Sequence, residues 1–197
     1  MLTVGITGQT GSGKSTFVKF LGLKTVDSDK VAKNVTKDPK VITDLCNAFG
    51  NDILRSDQTL DRKLLAFKAF ANCETVKKLN SIMHPTIIKQ IQKLLKFHEL
   101  SGEKIVLLDA PQLYESGAEK LCQKVIAVIA SEKLRKERII KRDGLSDKDA
   151  DQRLAIQKPD TFYIERADYI IVNDGKTDNL KFRAEQIKLE LIKLSEE

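Results

Sequence analysis

The residues from Gly8 to Ser15, "GQTGSGKS", have the types and spacing that bind a chain of phosphates. They match the pattern G-x-x-x-x-G-K-[ST], in which small residues let successive backbone N–H groups turn inward around an anion. We expect Lys14 to reach the β- and γ-phosphates as a point charge and Ser15 to offer its hydroxyl to Mg²⁺. The pattern therefore predicts a nucleoside triphosphate site. It leaves the reaction open, because GTPases, motor proteins, helicases and small-molecule kinases share it. The nucleotide contacts that we predict here are Gly11, Ser12, Gly13, Lys14, Ser15 and Thr16.

Two carboxylates follow this loop closely, Asp27 and Asp29 in "VDSD". Either can accept a proton from an attacking hydroxyl and help to hold Mg²⁺. Because phosphoryl transfer depends mainly on positioning, orienting the hydroxyl would matter more than removing its proton. The alternative for each aspartate is that it caps the next helix.

Basic residues on a later segment could complete such a site. Arg135, Arg138 and Arg142 are spaced i, i+3 and i+7, so one helix would carry them on one face. Arg153 and Gln157 repeat this spacing at i, i+4. Closing over the triphosphate, these side chains would offset the charge of the transition state. The alternative is an ordinary solvated basic helix.

A sheet must position these groups. Near-continuous Val, Ile and Leu runs predict strands buried on both faces, as in a parallel sheet covered by helices. A helix is predicted from Lys14 to about Leu21, directly after the loop. No N-K-x-D guanine-binding motif is found, since 172–175 reads "VNDG". The five predicted strands are 2–7, 24–27, 104–109, 124–130 and 168–173.

Helical insertions follow the second and fourth strands. The first covers roughly 38–100, where Pro85 is predicted to lie in the first turn of its own helix. The second, 132–158, is expected to break before Ser146, which would cap the next helix. A surface helix is expected from Asp178 onward. Two apolar stripes are predicted for the first insertion, one with Leu64, Leu65, Phe67 and Phe70, the other with Ile87, Ile88, Ile91, Leu94 and Leu95.

Composition limits the partners. A net charge of +6 favours anionic partners, but Lys and Arg are spread along the chain, which weakens the case for nucleic acid. Three cysteines without a C-x-x-C pair argue against a disulfide framework and against a cysteine-rich zinc site. We expect a cytoplasmic protein without a membrane span.

Seven segments in order extend these motifs over nearly the whole chain. They are "TGQTGSGKST", "VDSDKVAK", "LDRKLLAFKAF", "LNSIMHPTI", "LDAPQLYE", "RKERIIKRD" and "ADYIIVNDG". This ordered set resembles the dephospho-CoA kinases, a family of P-loop small-molecule kinases. The resemblance implies a three-layer α/β P-loop fold with a five-stranded parallel sheet, a helical substrate-binding insertion and a lid.

The resemblance also implies the reaction. Kinases of this family transfer the γ-phosphoryl group of ATP, with Mg²⁺, to the 3′-hydroxyl of the dephospho-CoA ribose, the last step of coenzyme A biosynthesis. The predicted partners are ATP and dephospho-CoA, with no nucleic acid and no membrane. We expect a monomer, with a homo-oligomer as the alternative. The other activities that stay open are another nucleoside- or nucleotide-type kinase and a nucleic-acid-linked P-loop ATPase.

Acceptor-side roles follow from the resemblance. It implies that Asp29 is the catalytic aspartate and that Arg62 and His84 bind the acceptor. In "LDAPQLYE", Asp109 would hold Mg²⁺ through water, whereas Gln112 replaces a leucine that the family usually has. The predicted lining of the acceptor pocket is Pro111, Leu113 and Glu115.

Donor-side roles complete the predicted site. The resemblance implies that Arg138, with Lys14, is catalytic and that Arg138 and Arg142 contact ATP. Asn173 and Gly175 are expected beside the adenine, with a plain strand-to-helix turn as the alternative. Two stretches depart from the usual family sequence, namely Gln9-Thr10 in the loop and "KPDTFYIER" at 158–166.

The predicted organisation is one kinase domain, 1–197. Its core would comprise about 1–35, 103–131 and 166–197, with a helical substrate-binding part at 36–102 and a lid at 132–165.

Overall fold

The computed structural model describes residues 1–196, which form five strands and nine α-helices. The strands are β1 (Leu2–Thr7), β2 (Lys24–Asp27), β3 (Ile105–Asp109), β4 (Lys124–Ile129) and β5 (Tyr169–Val172). The helices are α1 (Lys14–Leu21), α2 (Ser28–Val35), α3 (Pro39–Phe49), α4 (Arg62–Ala69), α5 (Cys73–Leu100), α6 (Glu132–Asp143), α7 (Asp147–Ala155), α8 (Asp160–Ile164) and α9 (Thr177–Leu194).

The chain divides into two compact units. The first contains Met1–Val26 and the chain from Leu95 onward, and the second is Asp27–Leu94. The three-part division predicted from the sequence stays a prediction.

A single sheet in the order β2-β3-β1-β4-β5 organises the first unit. β1 lies at its centre and pairs in parallel with β3, where Ile6 is opposite Asp109, and with β4, where Ile6 is opposite Ile126. β5 pairs in parallel with β4. The predicted five-stranded parallel α/β sheet is confirmed, and its central strand leads directly into the phosphate-binding loop.

Helices cover both faces of this sheet. On one face, Ile6, Leu107 and Ile126 pack with Phe17 of α1 and Leu191 of α9, all fully buried. On the other face, Ala127 and Ile129 of β4 pack with Tyr163 of α8. Each large side chain buried in this way stabilises the fold by about 1.5–3 kcal/mol before entropy is subtracted.

The second unit is helical. Its buried side chains come from α2, α3, α4, α5 and the 3₁₀ turn between α3 and α4, Asn51–Ile53. Asp61 caps α4 by accepting the N–H groups of Lys63 and Leu64 at 3.0 and 3.1 Å. The buried apolar residues of this part include Val41, Leu45, Phe49, Ile53, Leu65 and Ala69.

Two predictions for this unit are wrong. Pro85 lies inside one continuous 28-residue helix, α5, rather than at the start of a helix. The ring removes only one backbone hydrogen bond, and burial of Met83, Ile91 and Leu95 on the same helix offsets that loss.

The predicted stripe on α4 is wrong as well, because Phe67 and Phe70 are 79% and 65% exposed. At 100° per residue, Phe67 lies about 200° around the helix from the buried Leu65. Leu65 and Ala69, four residues apart, form the buried face instead.

The second helical excursion breaks where the sequence predicts. Gly144 ends α6 with a positive φ of 66°, and the Ser146 hydroxyl caps α7 by accepting the N–H of Asp149 at 3.2 Å. Among residues 1–196, no helix has the length and apolar character that crossing a membrane requires.

Candidate active site

The phosphate-binding loop, Gly8 to Lys14, joins β1 to α1, and glycine is required at two of its positions. Gly8 has a φ of 147°, and a Cβ there would overlap the carbonyl oxygen of Val128 in β4. Gly13 has a φ of 95°, and its Cβ would overlap the side-chain amide of Asn173. Both positions combine a positive φ with a close approach that no other residue tolerates.

The loop presents unused backbone donors at the start of α1. The N–H of Ser12 closes a turn on the Gln9 carbonyl at 3.1 Å. Within the described part of the chain, the N–H groups of Gly11, Gly13, Lys14 and Ser15 donate to no protein acceptor. Donors at a helix N-terminus, together with the helix dipole, form an anion site, so this geometry suits a phosphate chain.

Lys14 and Asp109 form an ion pair beside the loop. Lys14 Nζ contacts Asp109 Oδ1, and their side chains are only 12% and 15% exposed. Asp109 reaches this position because it ends β3, opposite Ile6 of β1.

The residues predicted to hold Mg²⁺ supply oxygen atoms, which this ion prefers. They are the Ser15 hydroxyl at the start of α1 and the Asp109 carboxylate. No cluster of three or more His, Cys, Asp or Glu side chains suited to a metal occurs within residues 1–196. A magnesium ion bound with phosphates needs only one or two protein ligands, so the donors present fit it.

The Arg138 side chain of α6 hydrogen-bonds to the phosphate-binding loop. Its Nη1 donates to the carbonyl oxygens of Gly11 at 3.0 Å and Ser12 at 3.3 Å. Its Nη2 donates to Asn173 Oδ1 at 3.3 Å. Asn173 Oδ1 also accepts the N–H of Gly175 at 3.1 Å, and Asn173 Nδ2 donates to the Ser12 carbonyl at 2.7 Å. The structure thus brings Arg138, Asn173 and Gly175 together at the loop.

The other two arginines of α6 have different partners. Arg142 donates to both carboxylate oxygens of Asp143, at 2.7 and 2.9 Å, and Arg153 also donates to Asp143 at 2.7 Å. These hydrogen bonds, that from Arg142 above all, hold the pKa of Asp143 below its usual value. Arg135 is 6% exposed and its Nε donates to the Ala130 carbonyl at 3.1 Å. Arg135, Arg138 and Arg142 therefore each have different partners in this structure, and their predicted action as one face stays a prediction.

The segment after β3 carries the predicted acceptor lining. The carbonyl of Pro111 accepts the Thr7 hydroxyl at 3.2 Å. Leu113 is fully buried, and a Cβ on Gly5 would lie 2.8 Å from its Cδ2, so it packs under β1. Glu115 is exposed and lies beside a cavity of about 480 Å³ lined also by Tyr114 and Phe162.

Sequence reasoning missed one set of contacts to the loop. Gln9 and Thr10 at the loop tip hydrogen-bond to Gln157, Lys158 and Asp160. One indication of these contacts is present in the sequence: Gln9-Thr10 and the stretch 158–166 both depart from the usual family sequence.

The remaining predicted residues lie in the second unit. Asp27 caps α2 by accepting the N–H of Lys30 at 3.0 Å, whereas Asp29 is exposed in the first turn of that helix. Arg62, the first residue of α4, donates to the Lys33 carbonyl and the Thr36 hydroxyl, both at 3.0 Å. His84 is half-buried on α5. The helix-capping alternative therefore applies to Asp27.

Comparison with known proteins decides the family. The family model described as Dephospho-CoA kinase matches residues 2–179. The chain belongs to the dephospho-CoA kinase family. A dephospho-CoA kinase of Corynebacterium efficiens is 35% identical over 196 residues, covering 98% of each chain.

Solved structures agree with this family. A dephospho-CoA kinase from Campylobacter jejuni has a TM-score of 0.71 and 27% identity, and covers 96% of each chain. TT1252 from Thermus thermophilus has a TM-score of 0.77 and 29% identity over 96% of this chain and 97% of that one. The protein is therefore a kinase with a P-loop fold, as the sequence predicts, and its individual site residues stay predictions.

Proposed function

We propose that this dephospho-CoA kinase family member transfers the γ-phosphoryl group of ATP to the 3′-hydroxyl of dephospho-CoA, giving CoA and ADP. The observation that supports the donor side is the set of open N–H groups at the start of α1, flanked by Lys14 and Arg138. The family supports the choice of acceptor. We also propose that nucleic acid and membranes are not partners and that the protein acts as a cytoplasmic monomer.

The donor side works by placing positive charge around the phosphates. In this proposal the loop N–H groups hold the β- and γ-phosphates, and Lys14 leaves Asp109 to contact them. Arg138, held in place by the loop carbonyls, offsets the charge that spreads over the transferred group. Ser15 and, through water, Asp109 would hold Mg²⁺, which neutralises phosphate charge when it is bound. Arg142, Asn173 and Gly175 complete the proposed ATP contacts.

The acceptor side orients one hydroxyl. Asp29 accepts the proton of the acceptor's 3′-hydroxyl. At the same time the hydroxyl oxygen bonds to the γ-phosphorus, and the bond between the γ-phosphorus and the oxygen that bridges it to the β-phosphate breaks. Arg62 and His84 bind the acceptor, and its pocket is lined by Pro111, Leu113 and Glu115. Because Arg62 of α4 donates hydrogen bonds to the C-terminal end of α2, it also helps to fix the position of α2, the helix that carries Asp29.

An acceptor comparison tests this function. The purified protein is incubated with ATP, Mg²⁺ and one acceptor, either dephospho-CoA, adenosine, AMP or shikimate. ADP formation is measured, and the phosphorylated product is identified by mass spectrometry. We expect ADP and CoA in equal amounts with dephospho-CoA and background turnover with the others. ATP hydrolysis stimulated by single-stranded DNA, with no small-molecule acceptor, would contradict the proposal.

Replacing Asp29 tests the acceptor side separately. We expect Asp29→Asn to lower kcat by about a hundredfold or more, the range of a lost general base, while ATP binding stays nearly intact. The matched control is Asp27→Asn, because asparagine caps helices as well as aspartate does. Turnover within a few-fold of the parent in Asp29→Asn would rule out this role.

A further inference from the structure

The tip of the phosphate-binding loop is hydrogen-bonded to the connection between α7 and α8. Gln9 Nε2 donates to the Lys158 carbonyl at 3.0 Å and to Asp160 Oδ1 at 2.8 Å. The backbone N–H of Thr10 donates to Gln157 Oε1 at 2.9 Å. We name these five residues, Gln9, Thr10, Gln157, Lys158 and Asp160, the loop-tip contact.

The Gln9 amide is buried in this contact. Its residue is 5% exposed, and its two N–H groups are used, while Oε1 has no hydrogen-bond partner within residues 1–196. The side chain is thus held by its donors alone. Removing the donors while keeping the shape would therefore break the contact without creating a cavity.

The contact fixes the start of α8. Asp160 is the first residue of this helix, so Gln9 holds its N-terminal end. Tyr163, one turn later, is buried against Ala127 and Ile129 of β4. The short helix is consequently attached both to the loop and to the sheet.

The loop is therefore held from two sides. α6 holds the carbonyl groups of Gly11 and Ser12 through Arg138, and the 157–160 segment holds Gln9 and Thr10. Between these attachments lie the N–H groups of Gly11, Gly13, Lys14 and Ser15, which donate to no protein acceptor in the described chain. The orientation of those donors depends on both attachments, since the loop backbone is short.

We propose that Gln9 is a positioning residue for phosphoryl transfer. Its amide keeps the α7–α8 connection on the loop tip, which orders the phosphate-binding N–H groups and keeps water from the γ-phosphate. This inference rests on the proposed function, because transfer to an acceptor is what it improves. The loop N–H groups, Lys14 and the other proposed ATP contacts all stay present when Gln9 is replaced, so loss of Gln9 affects turnover more than ATP affinity.

Replacing the amide by a carboxylate tests the contact. Glutamate at position 9 has the same shape but no N–H to donate, and its charge repels Asp160. We expect Gln9→Glu to lower kcat about tenfold, to change KM for ATP less than threefold, and to raise the ratio of ADP to CoA formed above one. An unchanged kcat with a ratio of one would overturn the proposal.

A second substitution should restore the contact. In Gln9→Glu/Asp160→Asn, the new amide can donate to the new carboxylate, so we expect kcat to recover at least threefold over Gln9→Glu. A double variant no better than the single one would contradict the assignment. Gln186→Glu makes the same chemical change at an exposed position of α9 and serves as the control, with parental kinetics expected.

Hydrogen exchange separates this inference from the proposed function. Without any acceptor present, peptides covering 157–163 should exchange faster in Gln9→Glu than in the parent or in Gln186→Glu. If no acceptor is phosphorylated but this difference is found, the proposed function fails and the contact stands. If Gln9→Glu does not fold, Gln157→Ala removes the acceptor of the Thr10 N–H and should show the same faster exchange. Unchanged exchange in the variant measured overturns the contact.

Discussion

Arg138 and Arg142 show how the same residue type on one helix takes two different environments. The guanidinium of Arg138 spans two loop carbonyls and the Asn173 side chain. Arg142 instead forms a two-point pair with its neighbour Asp143. Five donors in a rigid plane allow the three-way contact of Arg138, which an ammonium group cannot reproduce. At the scale of single residues, geometry rather than charge distinguishes the two.

Replacing Arg138 by lysine tests this distinction. Arg138→Lys keeps the positive charge, but one nitrogen cannot reach the Gly11 and Ser12 carbonyls and Asn173 together. We expect kcat to fall by about a hundredfold, the range found when one transition-state donor is lost, with KM for ATP changed less than threefold. Steady-state kinetics with varied ATP would measure both. Arg183→Lys, at an exposed position of α9, is the control.

A kcat of Arg138→Lys within twofold of the parent would contradict a role that depends on the guanidinium plane. A large rise in KM for ATP at unchanged kcat would instead assign Arg138 to ground-state nucleotide binding.

Among the elements, the continuous helix α5 carries an unusual proline. Pro85 cannot donate to the carbonyl of Ser81, four residues earlier, and its ring crowds that carbonyl. The residue next to it, His84, is one of the proposed acceptor contacts. The proline therefore reduces the stability of the helix at a position where the helix is expected to bind substrate.

Restoring the helix should separate stability from binding. Because alanine is favoured over proline in a helix interior by about 3 kcal/mol, we expect Pro85→Ala to raise the free energy of unfolding by about 1–3 kcal/mol. Urea unfolding would measure this, with Lys89→Ala, an exposed position of the same helix, as the control.

We also expect KM for dephospho-CoA to rise in Pro85→Ala, since the local geometry around His84 changes. A less stable variant would show that the ring makes packing contacts that outweigh the lost hydrogen bond.

How well each element could be predicted depends on whether its cause is local. The strands, the phosphate-binding loop and the Ser146 cap follow from apolar runs, glycines and short capping distances within a few residues. The continuity of α5 through Pro85 does not, because burial of Met83 and Ile91 elsewhere on the helix decides it. The exposure of Phe67 is likewise decided by tertiary packing, because the face of α4 that carries Leu65 and Ala69 is the one that is buried.

The candidate site has the same limit. The loop and its lysine are readable because the motif is contiguous. The bond between Gln9 and Asp160 joins residues 151 positions apart, and no local pattern records it. Arg135, Arg138 and Arg142 look equivalent by spacing, yet the partners that distinguish them come from Ala130 just after β4, from the loop and from α6 itself.

For the molecule as a whole, three tyrosines and one cysteine favour the neutral form when folded. Burial raises the pKa of Tyr114 and of Tyr163 to about 12, and it raises the pKa of the Cys122 thiol to about 12. Burial, with a hydrogen bond to Glu190, also raises the pKa of Tyr169. These three are all the tyrosines of the chain, so the absorbance of ionised phenol comes only from residues whose pKa is raised.

The raised pKa values make stability fall in alkali. Below about pH 7.5, thiol and phenols keep their protons in both states, so the stabilisation is fully present. Above that the unfolded chain releases protons that the folded protein retains, first from the thiol, whose ordinary pKa is about 8.5, and then from the phenols, so the free energy of unfolding decreases up to about pH 12. We expect the urea midpoint to begin to decline near pH 8 and to fall further above pH 9. Phenol ionisation, followed at about 295 nm, should begin above the ordinary tyrosine value of about 10.

Tyr114→Phe isolates one of these groups. The Tyr114 hydroxyl is buried without a hydrogen-bond partner within residues 1–196, so its removal should leave stability at pH 7 unchanged or slightly higher. Because one late-titrating phenol is gone, the decline above pH 10 should become shallower than in the parent. Tyr169→Phe is the comparison, since it removes a phenol that does have a partner, Glu190, at 2.9 Å. A parent protein whose three phenols ionise near pH 10 while still folded would contradict the assigned burial. It would mean that water reaches the cluster of Tyr114, Phe162 and Tyr163 against β4.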